Sequence, residues 1–428
     1  MPITFHCIEE KCCKKFEVSE QYIGRQSNCP GCQKVVIVPN RTVAEWQRDY
    51  ISKHSSIAYF HYLVVEAIIQ QNTEALAWLW EQRRNDKSID INAGNNTPIK
   101  RSGTFMNFAA ACGNIIMMEK LKDCGAKVDA PNTEGDMPIH FAAMYGHFGV
   151  IEWLVRNNGV NVNVSGRQGR APIHCAAESG KLLCMKSLKE KLRADIFIRD
   201  NNDLSVMDFA AGGGRIDCMK YLAELEPKLL EAGGTFGETP MFAAARDGQT
   251  TSIEYLYHQL GAKVDAKNSD GQTPMFTAAV LGRTTSIECL HNLGAKVDTK
   301  DANGRTPMFH AVFAVQKESI ECLARLGARI NARLDDGRTP LIIAASMGKI
   351  ASIECLHNVG ADLNDPIPET GLTAIHYAVA SGQIASMECL RRLGANLHAK
   401  SNKGKTSLDL AIQYNQSEAA EWLRRNGG

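Results

Sequence analysis

The 428-residue chain has no apolar run approaching the ~20 residues that a membrane helix needs. Its start, MPITFHC, has neither a basic n-region nor an apolar h-region, so no secretory signal is expected. It also lacks a charge excess. Lys and Arg number 48 against 47 Asp and Glu, and the formal net charge of +1 provides no global basic field to gather nucleic acid. Neither G-x-S-x-G nor H-E-x-x-H occurs, and the twelve histidines show no catalytic or metal-binding spacing. Gly212-Gly213-Gly214 follows a predicted helix and is not followed by Lys-Ser or Lys-Thr, which excludes a P-loop and predicts a loosened helix end instead. These absences lead us to expect an intracellular protein that is not an enzyme, has no small-molecule substrate and does not enter a membrane.

Hydrophobic residues make up 44% and charged residues 22%, the balance of a folded chain. At 428 residues it exceeds the usual domain of about 100–200 residues, so several domains or one repeat array must form. Fourteen cysteines are too few for a disulfide scaffold of this length. Five fall within the first 32 residues, and nine are scattered from Cys112 to Cys389.

Self-similarity organises the rest. Aligned on D-G-Q-T-P-M-F-T-A-A, equivalent positions are Thr104, Met137, Ala171, Ser205, Thr239, Thr273, Thr306, Thr339, Thr373 and Thr406, spaced by 33 or 34 residues. The Thr-Pro pair supplies an N-cap hydroxyl and a proline at the first helical position, where its missing N–H is harmless. Small residues five and six positions on, such as Ala142-Ala143 and Ala344-Ala345, allow close helix packing. A glycine at the ninth position, as at Gly113, Gly146 and Gly282, ends the helix in left-handed conformation. A second apolar-periodic segment follows, with motifs such as S-I-E-C-L, and then a V-D or I-N pair. Cys289, Cys322, Cys355 and Cys389 recur in it with the same period and read as small core residues.

This pattern resembles the ankyrin repeat, a turn followed by two antiparallel helices. The T-P-L-H-x-A-A signature appears as M-P-I-H-F-A-A at 137–143, A-P-I-H-C-A-A at 171–177 and T-A-I-H-Y-A-V at 373–379. Phe242, Phe276 and Phe309 stand where the family carries His, so those inter-repeat contacts should be more apolar. The resemblance covers residues 57–428, with a degenerate repeat and long loop at 57–103 and ten repeats over 104–428. It implies a mostly α fold, a solenoid of about eleven helix-turn-helix units that gain stability by stacking.

The N-terminal region reads differently. Cys29-Pro30-Gly31-Cys32 has the spacing of a zinc knuckle, and Cys7 with Cys12 completes a four-thiolate set, with Cys13 as the alternative to Cys12. Residues 1–40 resemble small bacterial zinc ribbons, with Phe16, Val18, Gly24 and Pro39 in register, although the first knuckle is C-x4-C-C rather than C-x2-C. The resemblance implies a small β module preceding the repeats and holding one structural zinc ion. A module of about 40 residues is too small to build a sufficient core without a staple. Residues 41–56 read as a short helix and linker.

The expected function is a protein–protein interaction scaffold with a structural zinc module. The family resemblance implies contact through turn tips and the groove ends of the first helices. Here those positions include Tyr145, Arg170, Arg246, Leu281, Arg305, Phe313, Val315, Arg338 and Met347. Val315 replaces the glycine of the seventh repeat, and with Val280, Leu281 and Phe313 it either forms an exposed apolar patch or marks a repacked helix end. The alternative is a nucleic-acid-associated adaptor acting through the ribbon. Five basic residues against four acidic ones in residues 1–40, with little aromatic interleaving, argue against it.

Overall fold

The structure, a computed structural model, describes residues 3–6, 15–18, 26–28, 35–37, 57–83, 90–93, 103–231, 233–234 and 236–427. Cys7, Cys12, Cys13, Cys29 and Cys32, with the segment 41–56, lie outside the described residues. The chain divides into two compact units, Met1–Asn202 and Asp203–Gly428.

The first unit opens with four short strands. β1 (Ile3–His6) pairs antiparallel with β2 (Lys15–Val18), with Ile3 opposite Val18, and β3 (Gln26–Asn28) pairs antiparallel with β4 (Val35–Ile37). Four helix pairs follow: α1 (Ile57–Ile69) with α2 (Thr73–Arg83), α3 (Phe105–Ala111) with α4 (Ile115–Asp123), α5 (Pro138–Tyr145) with α6 (Phe148–Glu152), and α7 (Pro172–Glu178) with α8 (Leu182–Leu192). The 34-residue spacing of the second repeat is absorbed locally: α6 runs on into a wide π-type turn, Trp153–Asn157.

The second unit holds seven pairs: α9 (Val206–Gly212) with α10 (Ile216–Leu225), α11 (Pro240–Asp247) with α12 (Thr250–His258), α13 (Pro274–Val280) with α14 (Thr284–Asn292), α15 (Pro307–Phe313) with α16 (Lys317–Arg325), α17 (Pro340–Ser346) with α18 (Ile350–Asn358), α19 (Ala374–Ala380) with α20 (Ile384–Arg392), and α21 (Ser407–Gln413) with α22 (Ser417–Asn426). Within each unit, first helices pack on first helices and second helices on second helices. That is the ankyrin-type stack of helix pairs expected from the period.

The residue pattern explains the packing. The alanine pairs, among them Ala142-Ala143, Ala176-Ala177, Ala244-Ala245 and Ala344-Ala345, are fully buried and let neighbouring first helices approach. Ile253, Ile287, Ile320 and Ile353, with Leu256, Leu290, Leu323 and Leu356, bury one face of the second helices completely. Each such side chain contributes about 1.5–3 kcal/mol of transfer free energy. Cys289, Cys322, Cys355 and Cys389 are buried in the same row, as expected of small apolar residues. Burial pushes the Cys289 and Cys355 thiols up to about 11, so the reactive thiolate is suppressed. Cys112 lies instead at the C-cap of a first helix and is exposed.

The turns carry a second ladder. Side-chain oxygens of the V-D and I-N pairs accept the amide of the next repeat: Lys127 N–H donates to Asn92 Oδ1 at 2.7 Å, Asp195 to Asn163 at 3.0 Å, Arg329 to Asp298 at 3.0 Å and Asn396 to Asn364 at 2.8 Å. The expected glycines all sit at positive φ, from 66° at Gly382 to 86° at Gly146. Val315, in the same position, has φ 58°, a left-handed conformation that β-branched residues resist.

Two expectations are corrected. The glycine run 212–214 is a closely packed helix end, not a loosened one. Gly214 has φ 72°, and a Cβ there would lie 2.6 Å from Gln249 Oε1 of the following repeat. The N-cap hydroxyl is also not used uniformly. Thr104, Ser205, Thr339 and Thr406 accept an amide hydrogen bond, whereas the Thr273 and Thr306 hydroxyls are buried without a hydrogen-bond partner.

Candidate partner-binding face

Within each unit, four positions of each repeat lie toward the same face: the residue before the N-cap, and the seventh, eighth and tenth residues after it. The tip residue folds back over its own first helix, eight residues ahead. Arg170 Nη1 donates to Glu178 Oε2 at 3.1 Å, and Arg246 pairs with Glu238. The Arg305 guanidinium lies 5.2 Å from the centroid of the Phe313 ring, and Lys405 donates to Gln413. In the eighth repeat Arg338 turns to its own tip instead, with Arg338 Nη2 2.6 Å from Asp336 Oδ2. That hydrogen bond holds the Asp336 carboxyl below its ordinary range.

The tenth position hooks one repeat onto the one before. Arg283 Nε donates to Arg246 O at 2.9 Å, and Gln416 Nε2 donates to Ala380 O at 3.3 Å. His147 Nε2 lies 3.0 Å from Ala111 O, and burial lowers the His147 pKa. The eighth position is the one that projects. Tyr145 is 41% exposed, Leu281 42%, Met347 46% and Tyr414 52%.

Beneath this face the third position after the N-cap sets the chemistry of the stack. In three repeats it is His. His174 Nδ1 accepts the Ala171 amide at 2.9 Å, and its Nε2 lies 3.0 Å from Ile198 O. His140 Nδ1 accepts the Met137 amide at 3.1 Å, and its Nε2 reaches Val164 O and Arg170 O at 3.1 and 3.0 Å. His376 Nδ1 accepts the Thr373 amide at 3.0 Å, and its Nε2 lies 3.0 Å from Ala399 O. Burial lowers all three pKa values, that of His174 to about 4. Phe242, Phe276 and Phe309 fill the same place and are essentially inaccessible. There the polar function moves one residue on in the seventh repeat: His310 Nε2 lies 2.9 Å from Asp301 Oδ2, with its ring edge-on to Phe276 at 5.1 Å.

Of the nine residues expected to meet a partner, Arg305 and Phe313 touch each other. Arg170, Arg246 and Arg338 are each bound to a carboxylate, and Tyr145, Leu281 and Met347 stand exposed. Phe313 is half-buried against the cluster of Phe309, Ala332 and Ile343, so it is a covered ring rather than part of an open patch. Val315 is half-buried and keeps the left-handed backbone of the glycines at that position, with the same helix-end hydrogen bonds. Sequence reading missed the tip-to-helix pairing. Opposite charges eight residues apart, as in Arg170–Glu178 and Glu238–Arg246, were the available signal. Among the described residues no cluster of His, Cys, Asp and Glu is arranged to hold a metal ion, and no helix is long and apolar enough to cross a membrane.

A family model described as ankyrin repeats (3 copies) matches residues 105–200, 258–333, 313–401 and 360–428. Among solved structures, the ankyrin repeat domain of Bcl-3, a unique member of the IkappaB protein family, is similar at 24% identity with a TM-score of 0.44. That alignment covers 51% of this chain and 97% of the other. No curated protein matches the chain.

Proposed function

The chain belongs to the ankyrin-repeat family, and from that premise we propose that it is a protein–protein interaction scaffold that binds through the turn tips and first-helix ends. The observation that carries this reading is the periodic exposure of Leu281, Met347 and Tyr414 on a face of the second unit, where Arg283 and Gln416 side chains hook one repeat onto the one before. A preordered surface of this kind gives up little conformational entropy on binding. Large apolar side chains held out of the core are what a partner would cover. Affinity capture from native extract with the full chain tests it. Proteins retained by the natural chain should be lost from the double variant Leu281→Asp/Met347→Asp. An unchanged set of retained proteins would sink the groove as the contact surface.

We also propose one structural zinc ion held by Cys7, Cys12, Cys29 and Cys32, with Cys13 as the alternative to Cys12. The reading is supported by the knuckle spacing of Cys29 and Cys32 and by the chain order, in which each cysteine group falls between two paired strands. The family's role as an interaction module is also why we propose that no reaction is catalysed. Metal analysis should find one zinc per chain, lost in Cys29→Ser. Stoichiometric zinc in that variant would overturn the ligand set.

A further inference from the structure

The second unit separates its charges. From Asp203 to Gly428 it carries 23 basic and 26 acidic residues, a net charge of −3. Yet the four face positions of its seven repeats hold seven basic residues against two acidic ones, Glu238 and Asp247. Glu238 is consumed by Arg246. Arg283, Arg305, Lys349 and Lys405 have no carboxylate within ion-pair distance among the described residues. The same positions from Thr104 to Lys181 of the first unit are balanced, with Arg170 and Lys181 against Asp136 and Glu178. A basic face on an acidic body is not a by-product of composition.

Apolar side chains interleave the cations with a period of two repeats. Leu281, Met347 and Tyr414 are exposed in the sixth, eighth and tenth repeats, whereas the repeats between carry Ala314 and Ser381. Helices pack at about 8–10 Å, so anchors on alternate repeats stand roughly 16–20 Å apart. An extended chain rises about 3.3 Å per residue and covers that distance in five or six residues.

We propose that this face of the second unit takes an acidic, extended polypeptide segment with apolar residues about every five or six positions. This rests on the reading of the groove as the contact surface. Carboxylates of the segment meet Arg283, Arg305, Lys349 and Lys405, and its apolar side chains cover Leu281, Met347 and Tyr414. A nucleic acid fits less well. The anchors include two aliphatic side chains, Leu281 and Met347, that offer no stacking platform for bases.

The test is selection of a displayed library of random peptides, about sixteen residues long to span the ~40 Å between the outer anchors, on the full chain. The enriched pool should be net negative with periodic apolar residues. Its binding should weaken about tenfold or more in R283E/K349E, and should weaken as salt rises above ~0.1 M. A neutral or basic pool that is lost in L281D/M347D overturns the charge assignment and leaves the groove reading standing. Failure to enrich any pool removes both. Tighter binding of a single-stranded oligonucleotide, lost in R283E/K349E, gives the face to nucleic acid and overturns the proposal. Self-association in sedimentation that the same variant dissolves assigns the face to a second copy, with the same consequence.

Discussion

His140 and His174 in the first unit and Phe242, Phe276 and Phe309 in the second fill the same place in the repeat, and they hold it by different physics. The imidazole closes the N-cap amide of its own helix with Nδ1 and reaches a turn carbonyl with Nε2. It is specific in direction, and it works only as the neutral tautomer. The phenyl ring closes nothing, and its contribution is buried area. In its presence the Thr273 and Thr306 hydroxyls are left without partners. The histidine repeats, that of His376 in the second unit included, are therefore directional and sensitive to protons, while the phenylalanine repeats tolerate local polar imperfection in exchange for a larger apolar seam.

The largest effect should come from emptying either place. Phe276→Ala removes a fully buried ring that carries no titratable group of its own and should cost about 3–5 kcal/mol. His174→Ala strips both hydrogen bonds and should cost about 2–4 kcal/mol at neutral pH. The pH profile separates them. Burial lowers the His174 pKa to about 4 against an unfolded value near 6.5. The unfolded chain therefore binds the proton first. Stability on the order of 3 kcal/mol is fully present above about pH 6.5 and is lost as pH falls toward 4. Hydrogen exchange should show α7 opening faster at pH 5 than at pH 7 while α13 does not. His174→Ala should flatten that difference, and equal acid sensitivity of α7 and α13 would break the comparison.

The fold was legible because stacking enforces it. A repeat that slips from 33 or 34 residues loses its neighbours, so Thr-Pro, the alanine pair and the glycine recur visibly. Even Val315 showed up, as a break in the glycine pattern. What it does there was not visible, since φ 58° and a half-buried side chain belong to the fold. The face was legible as positions but not as pairings. Arg305 reads as a free tip cation until Phe313 is seen beneath it, and Arg170 as a contact residue until Glu178 is found holding it. Such contacts depend on where a turn re-enters the stack, which no local window encodes. The row of serines Ser252, Ser286, Ser319 and Ser386 was equally opaque. All four are fully buried with unpartnered hydroxyls, whereas Ser352 in the same row donates to Val312 O of the preceding repeat at 3.2 Å.

A smaller effect concerns the glycine position that the two units share. Gly348 has φ 71°, and a Cβ there would meet Gln383 Oε1 at 2.6 Å. Gly348→Val should lower stability by about 1–2 kcal/mol, because a left-handed β-branched residue is strained. The reverse change at Val315 should raise the melting temperature, by up to about 1 kcal/mol of stability, since relief of strain outweighs the added chain entropy of glycine. If Val315→Gly lowers the melting temperature instead, the half-buried isopropyl group is worth more to the seventh repeat than the strain it causes.

The smallest effect is the sharpest probe of the contrast between the two chemistries. Ser205 is a working cap: its hydroxyl accepts the Asp208 amide at 3.3 Å, and Asp208 Oδ2 accepts the Ser205 amide at 2.6 Å. Ser205→Ala should cost about 1 kcal/mol. Thr273 occupies the equivalent place before Phe276, but its buried hydroxyl has no partner. Thr273→Val removes that unsatisfied group while keeping shape, so it should be neutral or stabilising by a few tenths of a kcal/mol. Thermal unfolding of the two variants side by side measures the difference. A loss in Thr273→Val equal to that in Ser205→Ala would mean that the threonine caps its helix in solution, and the Phe276 repeat would then be as polar at its helix start as the Asp208 repeat.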